Sequence, residues 1–378
     1  MNKKRLVELE LIRAFAFMFI IVQHSIGGYS LDLKEPFSNA VILRFIYTIS
    51  KPAVPMFIFI SAVSLYYTYK DCINIKEFYK KRLFNIVLPY IICSFIYLLV
   101  FNRKVDNLFI SLLNGNIMFH LWYVGASVRI YLAFPIILFL LNKLSKATRK
   151  INLIFISTFT IVSYILIENK DLINTSISSM VTGKSIFSLK EFMSISPIYL
   201  YFYFIAGFYF ILFYDKTLEY IIKYKNLIIV LFSLLLIPSY LIIMEDRINF
   251  YFNDYSKTAI RICFNIISIF FWYYISMSII KTKNKLVDIL QFISHYSFSG
   301  YLYHVLIVNY IAGVLYSYYT LTDNYIFPSV LFCILTIIIA PIVCHLLSFI
   351  PYSKYIFGTS RYKGNLNKRE SLTRKLEI

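Results

Sequence analysis

Ten stretches of this chain are each long and apolar enough to cross a lipid bilayer, and this limits its fold before any motif is considered. A spanning helix needs about 20 predominantly apolar residues. The approximate segments 7–27, 41–66, 83–101, 118–141, 151–167, 196–213, 226–244, 259–280, 294–316 and 327–350 meet that need. Inside hydrocarbon each backbone N–H and C=O must be paired within the chain, and a continuous apolar run of this length does so as a helix. Only 15% of the 378 residues are charged, against about 25% in an average soluble domain. A soluble enzyme, a disordered chain, a nucleic-acid-binding module and a disulfide-stapled secreted domain are all excluded. The expected fold class is all-α: a polytopic bundle of about ten transmembrane helices over residues 1–350, followed by a basic tail, 351–378.

The net charge of +19 reports topology rather than a nucleic-acid partner. With the N-terminus in the cytoplasm, 25 of the 38 Lys and Arg residues fall in inner segments and eight in outer ones. The outer eight are Lys34, Arg103, Lys104, Lys170, Lys184, Lys190, Arg247 and Lys257; Arg13, Arg44, Lys51, Arg129 and Arg261 fall inside or at the edges of spans. This asymmetry follows the positive-inside rule and puts both termini in the cytoplasm. The inner cations also attract anionic lipid head groups, at about 1 kcal/mol each near the surface. By the same spans nine acidic residues lie inside and ten outside, with none in a membrane core. A cavity lined only by cations and histidines is expected to hold an anion, because a buried Arg needs a negative partner. The five cysteines are scattered, so no disulfide is expected. Glu8, Glu10 and Arg13 interrupt what would otherwise look like a signal peptide, and the first hydrophobic segment is read as a retained span. The Ser-rich outer loop, about 168–195, could cover the outer mouth of a cavity.

Walker loops, dinucleotide-binding glycine patterns and His-Glu-x-x-His are all missing. No metal site and no resident cofactor is expected. The most informative pair is Arg13 and His24 in the first span. Eleven residues at about 100° each make three turns plus about 20°, so both side chains leave the helix on nearly one face, about 16 Å apart along the axis. Histidine titrates near neutrality and can take a proton from an attacking hydroxyl; arginine can hold a phosphate or carboxylate bidentately. Read alone, the pair has a second explanation, with Arg13 snorkelling to the inner interface and His24 sitting in the outer head-group zone.

Beyond this pair, landmarks follow in a recognisable order. The first span reads LELIRAFAFMFIIVQHS. It is followed by Val54-Pro55-Met56-Phe57-Ile58-Phe59-Ile60-Ser61, by Lys81-Arg82-Leu83-Phe84-Asn85-Ile86 with Pro89-Tyr90, and by His120-Leu121-Trp122-Tyr123 with Tyr131 and Pro135. Ser297-Phe298 with Tyr301-Leu302-Tyr303-His304 comes last. In this order they resemble the acyltransferase-3 family of integral membrane O-acyltransferases, whose hallmark Arg-x10-His is met by Arg13 and His24. The resemblance covers about residues 1–350. It implies transfer of an acyl group, acetyl first and succinyl second, from a cytoplasmic acyl-CoA-type donor to a hydroxyl of a cell-surface carbohydrate by a multi-pass protein of the plasma membrane. It implies catalytic roles for His24 and Arg13, with acyl-CoA as co-substrate and a surface glycan as acceptor. Arg82, Lys81 and His304 are candidate donor contacts; His120, Trp122 and Arg129 are candidate acceptor contacts.

Three positions depart from the family pattern. Asn85 stands where many members have a second Arg, Ala62 where Gly commonly follows the motif serine, and Ser127, Val128 and Arg129 where many carry a Glu. Ala62 implies a less close helix approach there. Plainer readings stand beside the functional ones. His304 is an interhelical hydrogen-bonding residue, and Trp122 and His120 are interface residues. Lys81 and Arg82 start a span on its basic side, and Arg44, Lys51 and Arg261 are interface cations. The alternative function is a polysaccharide exporter or flippase, and a third is a degenerate family member with a scaffolding role. Direct transfer and an acyl-histidine intermediate are equally compatible with the residues.

Overall fold

The computed structural model describes residues 5–32, 36–179, 192–282, 284–316, 326–362 and 364. Lys34, Lys184, Lys190, the middle of the Ser-rich loop and most of the basic tail lie outside the described residues. Regular structure among the described residues is helical. In chain order the main helices begin with α1 (Val7–Ser25), α2 (Phe37–Ser50), α3 (Ala53–Tyr69), α4 (Ile75–Arg82), α5 (Leu88–Val100) and α6 (Leu108–Asn114). Next come α7 (Trp122–Ser145), α8 (Arg149–Glu168), α9 (Lys170–Ser179), α10 (Tyr201–Leu212) and α11 (Tyr214–Lys223). The last are α12 (Lys225–Ile248), α13 (Asp254–Thr282), α14 (Lys285–His295), α15 (Ser297–Tyr316) and α16 (Ile326–Leu347).

Among the described residues eight helical segments are long and apolar enough to cross a membrane. Two of the ten expected spans, 7–27 and 294–316, are not among those eight, and both carry polar groups. Helix α1 carries Glu8, Glu10 and Arg13 in its first two turns, and α15 carries Ser297, Ser299, His304 and Asn309. Helix α1 and the first half of α15 are enclosed by protein: Leu11, Ile12, Phe17, Ile20 and Ile21 of α1 are buried, as are Ser297, Ser299 and Tyr301 to Val305 of α15, while Asn309 and Tyr310 further along α15 are exposed. Polar groups are costly against lipid, so helices that carry them go to the inside of a bundle. Apolar helices such as α5 and α7 expose side chains, with Leu99 81% and Ile136 70% exposed, as lipid contact requires.

By backbone contacts the chain forms two compact units, residues 1–56, 220–249 and 264–378 in one, and 57–219 and 250–263 in the other. In the first unit α1 packs against α2, α14, α15 and α16. Arg44 of α2 is fully buried, which corrects the expectation of an interface cation. Its Nε donates to the Ser30 carbonyl at 2.7 Å and Nη1 to the Ile243 carbonyl at 2.7 Å, and the guanidinium grips both carboxylate oxygens of Asp246 at the end of α12. The negative partner of this buried arginine is therefore the protein's own carboxylate. At the other end of the unit, the Tyr296 hydroxyl lies 2.7 Å from His345 Nδ1 and accepts the Tyr362 N–H at 3.0 Å. His295 Nε2 lies 2.7 Å from the Ser360 carbonyl, so residues 360–362 are tied to α14 and α16.

In the second unit, Asn74, Asn107 and Thr148 cap α4, α6 and α8 by accepting a backbone N–H three residues on, which satisfies donors a helix start leaves open. Between Arg82 and Pro89 the helix widens into a π-turn, Leu83–Val87, with the Leu88 N–H bonded to the Leu83 carbonyl five residues back. Proline at position 89 has no N–H to continue the ladder and its ring crowds the carbonyl four residues before it; the wider turn relieves both. The motif Lys81–Ile86 thus sits on a backbone irregularity of the kind frequent at functional sites. Close packing of α10 on α3 is supplied by Gly207 rather than at position 62. A Cβ at Gly207 would lie 2.5 Å from the Phe59 carbonyl oxygen and 2.9 Å from Ala62 Cβ. The loss of approach expected from Ala62 is offset by the opposite helix.

Candidate active site

The stripe on α1 that carries Arg13 and His24 also carries Phe17, about 40° around the helix from Arg13 and about 20° from His24. Phe17 is fully buried against α15: a Cβ at Gly300 would lie 2.5 Å from its Cζ and 2.9 Å from its Cε2. Only a residue with no side chain lets the two helices meet there. On the neighbouring face, Phe15 and Phe19 hold the Trp272 indole of α13, with ring centroids 4.7 and 5.0 Å away. These contacts fix the rotation of α1 and turn the Arg13–Phe17–His24 stripe toward α15.

From the Phe17–Gly300 crossing His24 lies seven residues further along α1 and His304 four residues further along α15. Their imidazole rings meet, centroids 5.2 Å apart and planes inclined by 32°. His24 is half-buried and His304 fully buried. His304 Nδ1 is 2.8 Å from the Tyr301 carbonyl oxygen. A carbonyl only accepts, so Nδ1 carries a proton and, in the neutral ring, Nε2 keeps the lone pair. The last turn of α1 is held by the Gln23 amide, which donates to the Ser50 carbonyl at 2.5 Å. Its first turns are held by Gln291 of α14, which donates to Glu10 at 3.0 Å; Glu10 also pairs with Arg5. Arg13 is half-buried between these two anchored ends. Of the expected residues, the first unit therefore brings together His24 and His304, with Arg13 three turns back on the same stripe.

The other expected site residues lie in the second unit. The Arg82 guanidinium stands over the rings of Phe78 and Tyr131, at 5.1 and 4.8 Å, while Lys81 is exposed. His120 is fully buried, with its ring 5.2 Å from that of Tyr97 and 5.6 Å from that of Phe119. Arg129 donates to the Phe192 carbonyl at 2.7 Å and the Leu113 carbonyl at 2.8 Å, and it stacks on the Phe192 ring at 3.7 Å. It braces the end of α6 against the start of the 192–212 segment. Trp122, the first residue of α7, borders an open cleft.

Gly300 and Phe17, which set the approach of the two histidines, were not singled out from the sequence. The only local signal was a Gly in the Ser-Phe-Ser-Gly-Tyr run, and glycine alone does not name the atom it makes room for.

Comparison with known families matches the acyltransferase domain of the acyltransferase-3 family to residues 6–345, nearly the whole chain. Comparison with curated proteins and with solved structures returns no match. Five landmarks in order, a helical membrane architecture and a family match of this extent agree, and the chain belongs to the acyltransferase-3 family, as a multi-pass membrane acyltransferase.

Proposed function

We propose that this acyltransferase moves an acyl group, acetyl first among candidates, from a cytoplasmic acyl-CoA donor to a hydroxyl of a cell-surface carbohydrate. Both termini would lie in the cytoplasm of a cell whose plasma membrane it spans, as the charge asymmetry along the chain favours. The observation that carries this reading is the pairing of His24 with His304 at the end of a stripe that begins with Arg13. A proton acceptor sits at one end of the stripe and an anion-binding cation at the other.

In this reaction His24 takes the proton of the sugar hydroxyl as its oxygen attacks the thioester carbonyl. The new C–O bond forms, the C–S bond breaks, and the proton passes from the His24 imidazolium to the departing thiolate, leaving an ester and a free thiol. Arg13 holds an anionic group of the donor through charge-assisted hydrogen bonds, with Arg82 and Lys81 as further donor contacts. His304, whose Nδ1–H faces the Tyr301 carbonyl, offers Nε2 as a second proton acceptor beside His24. A route through an acyl-His24 intermediate uses the same residues, and acyl label retained on protein that lacks acceptor distinguishes it from direct transfer.

The test is the acyl-ester content of surface polysaccharide in a deletion strain complemented with the wild type or with His24→Ala at equal membrane expression. A positioned general base contributes about 10²–10⁴ in rate, so His24→Ala should lower ester formation by about 100-fold or more. Full restoration of the ester by His24→Ala would overturn the assignment.

A further inference from the structure

A cleft of about 450 Å³ opens in the second unit where the end of α6, the start of α7 and the start of α9 converge. That size is within the ~300–1,000 Å³ of small-molecule sites. Two cations, Arg103 and Lys170, line it together with Asn114, Asn116, Phe119, Trp122 and Ser194; Asn116 and Phe119 are exposed there and Asn114 is buried. Among the described residues no acidic side chain lines it, and Ile195 is the one aliphatic side chain that does.

The walls are built rather than incidental. Gly115 ends α6 with φ +65°, and a Cβ there would lie 2.7 Å from Trp122 Cα, so the turn that carries Asn114 and Asn116 packs directly on the first residue of α7. Arg103 is held by donating from Nη1 to the Ile117 carbonyl at 2.9 Å. Lys170 lies with its ammonium 5.3 Å from the Tyr199 ring centroid.

We infer that this cleft binds an anionic sugar residue of the acceptor glycan, its carboxylate or phosphate held by Arg103 and Lys170 and its ring face packed on Trp122. The chemistry of the lining chooses among anionic ligands. The exposed Asn116 amide both donates and accepts, which suits a ring of hydroxyls, and a flat indole suits the apolar face of a pyranose. A lipid would need an aliphatic channel for its chains, and the lining offers a single isoleucine. Against the phosphates of the acyl donor stands the charge asymmetry of the chain, which puts Arg103 and Lys170 on the side away from the donor. The inference thus rests on the acceptor being a carbohydrate, as proposed above. Burial also lowers the Lys170 pKa from the usual lysine value, opposed by the neighbouring Asp171, which fits a cation partly withdrawn from water.

The test is calorimetric binding to the full-length protein in phosphatidylcholine nanodiscs. The probes are a glucuronate-containing tetrasaccharide and a neutral glucose tetrasaccharide, and the variants are Lys170→Gln, Arg103→Lys, Arg103→Gln/Lys170→Gln and Trp122→Ala. The acidic sugar should bind at least ten times more tightly than the neutral one. The double variant should lose that preference, with a drop of about 100-fold for the acidic probe, while Trp122→Ala should weaken both probes. Arg103→Lys keeps the charge and should keep the preference, which separates charge from folding. Binding is read without an acyl donor, so full ester formation by His24→Ala beside an intact wild-type preference for the acidic sugar would fault the catalytic assignment and not the cleft. Equal binding of the two sugars would overturn the inference, as would displacement of the acidic sugar by coenzyme A or its loss in phosphatidylglycerol nanodiscs.

Discussion

Replacing Gly300 with alanine puts a methyl carbon where the Phe17 ring already stands. The new Cβ would be 2.5 Å from Cζ, 2.9 Å from Cε2 and 3.3 Å from Cε1, whereas carbon atoms in contact keep about 3.5–4.0 Å. About 1 Å must be found, and the fully buried Phe17 ring has little room to give. Overpacking of this kind costs about 1–3 kcal/mol, partly offset by about 1 kcal/mol gained when alanine replaces glycine in a helix. The net loss of stability is then about 0–2 kcal/mol, and the protein should still fold. On the mechanism proposed above, the catalytic consequence is larger. His304 lies about 6 Å further along α15 from the crossing, so helices wedged apart at Gly300 pull its ring away from His24, and a 1 Å misplacement can cost about 100-fold in rate. The assay is the initial rate of label transfer in membranes from the proposed acyl-CoA donor to the proposed surface glycan, normalised to protein, with thermal unfolding of the purified protein beside it. Gly300→Ala should lose about 100-fold in rate with little change in unfolding. Phe17→Leu removes the ring atoms that clash and should restore most of that loss in the double variant. A near-normal rate for Gly300→Ala, or no recovery in the double variant when Phe17→Leu alone is active, would refute the reasoning.

Two further outcomes follow from charge. Asp246→Ala leaves a fully buried guanidinium without its carboxylate, and breaking a buried pair typically costs about 3–5 kcal/mol. The lower end is expected, because Asp246 is 43% exposed and Arg44 keeps the Ser30 and Ile243 carbonyls. Arg44→Met/Asp246→Ala should recover part of the loss in detergent unfolding. At the cleft, an anion needs Lys170 protonated, and its pKa is lowered by burial and only partly restored by Asp171. With the Tyr199 ring alongside, affinity for the glucuronate probe should be full at neutral pH. It should fall as pH rises through the lowered lysine pKa, below the range of an exposed lysine. Lys170→Arg stays charged and should remove the fall; a pH profile shared by both proteins would refute the assignment.

Helicity, the location of most spans and the shared face of Arg13 and His24 were all legible in the chain, because each depends on local spacing: 20 apolar residues span, and eleven residues return a side chain to the same face. His304 was legible only through its motif, since nothing in its own neighbourhood says which of the other helices it meets. Arg44 was misread because a cation near a helix end can face head groups as well as protein, and its partner Asp246 is 202 residues away. The cleft went unseen for the same reason: Arg103, Trp122 and Lys170 belong to three segments that converge only after folding. Sequence alone decided that the chain is a helical membrane protein, because the bilayer forces each spanning segment to satisfy its own backbone. Which helices lie inside, and which side chains face each other there, was decided by contacts such as Phe17 on Gly300, where the exclusion volume of a single methyl group sets how near two helices, and the two histidines they carry, can come.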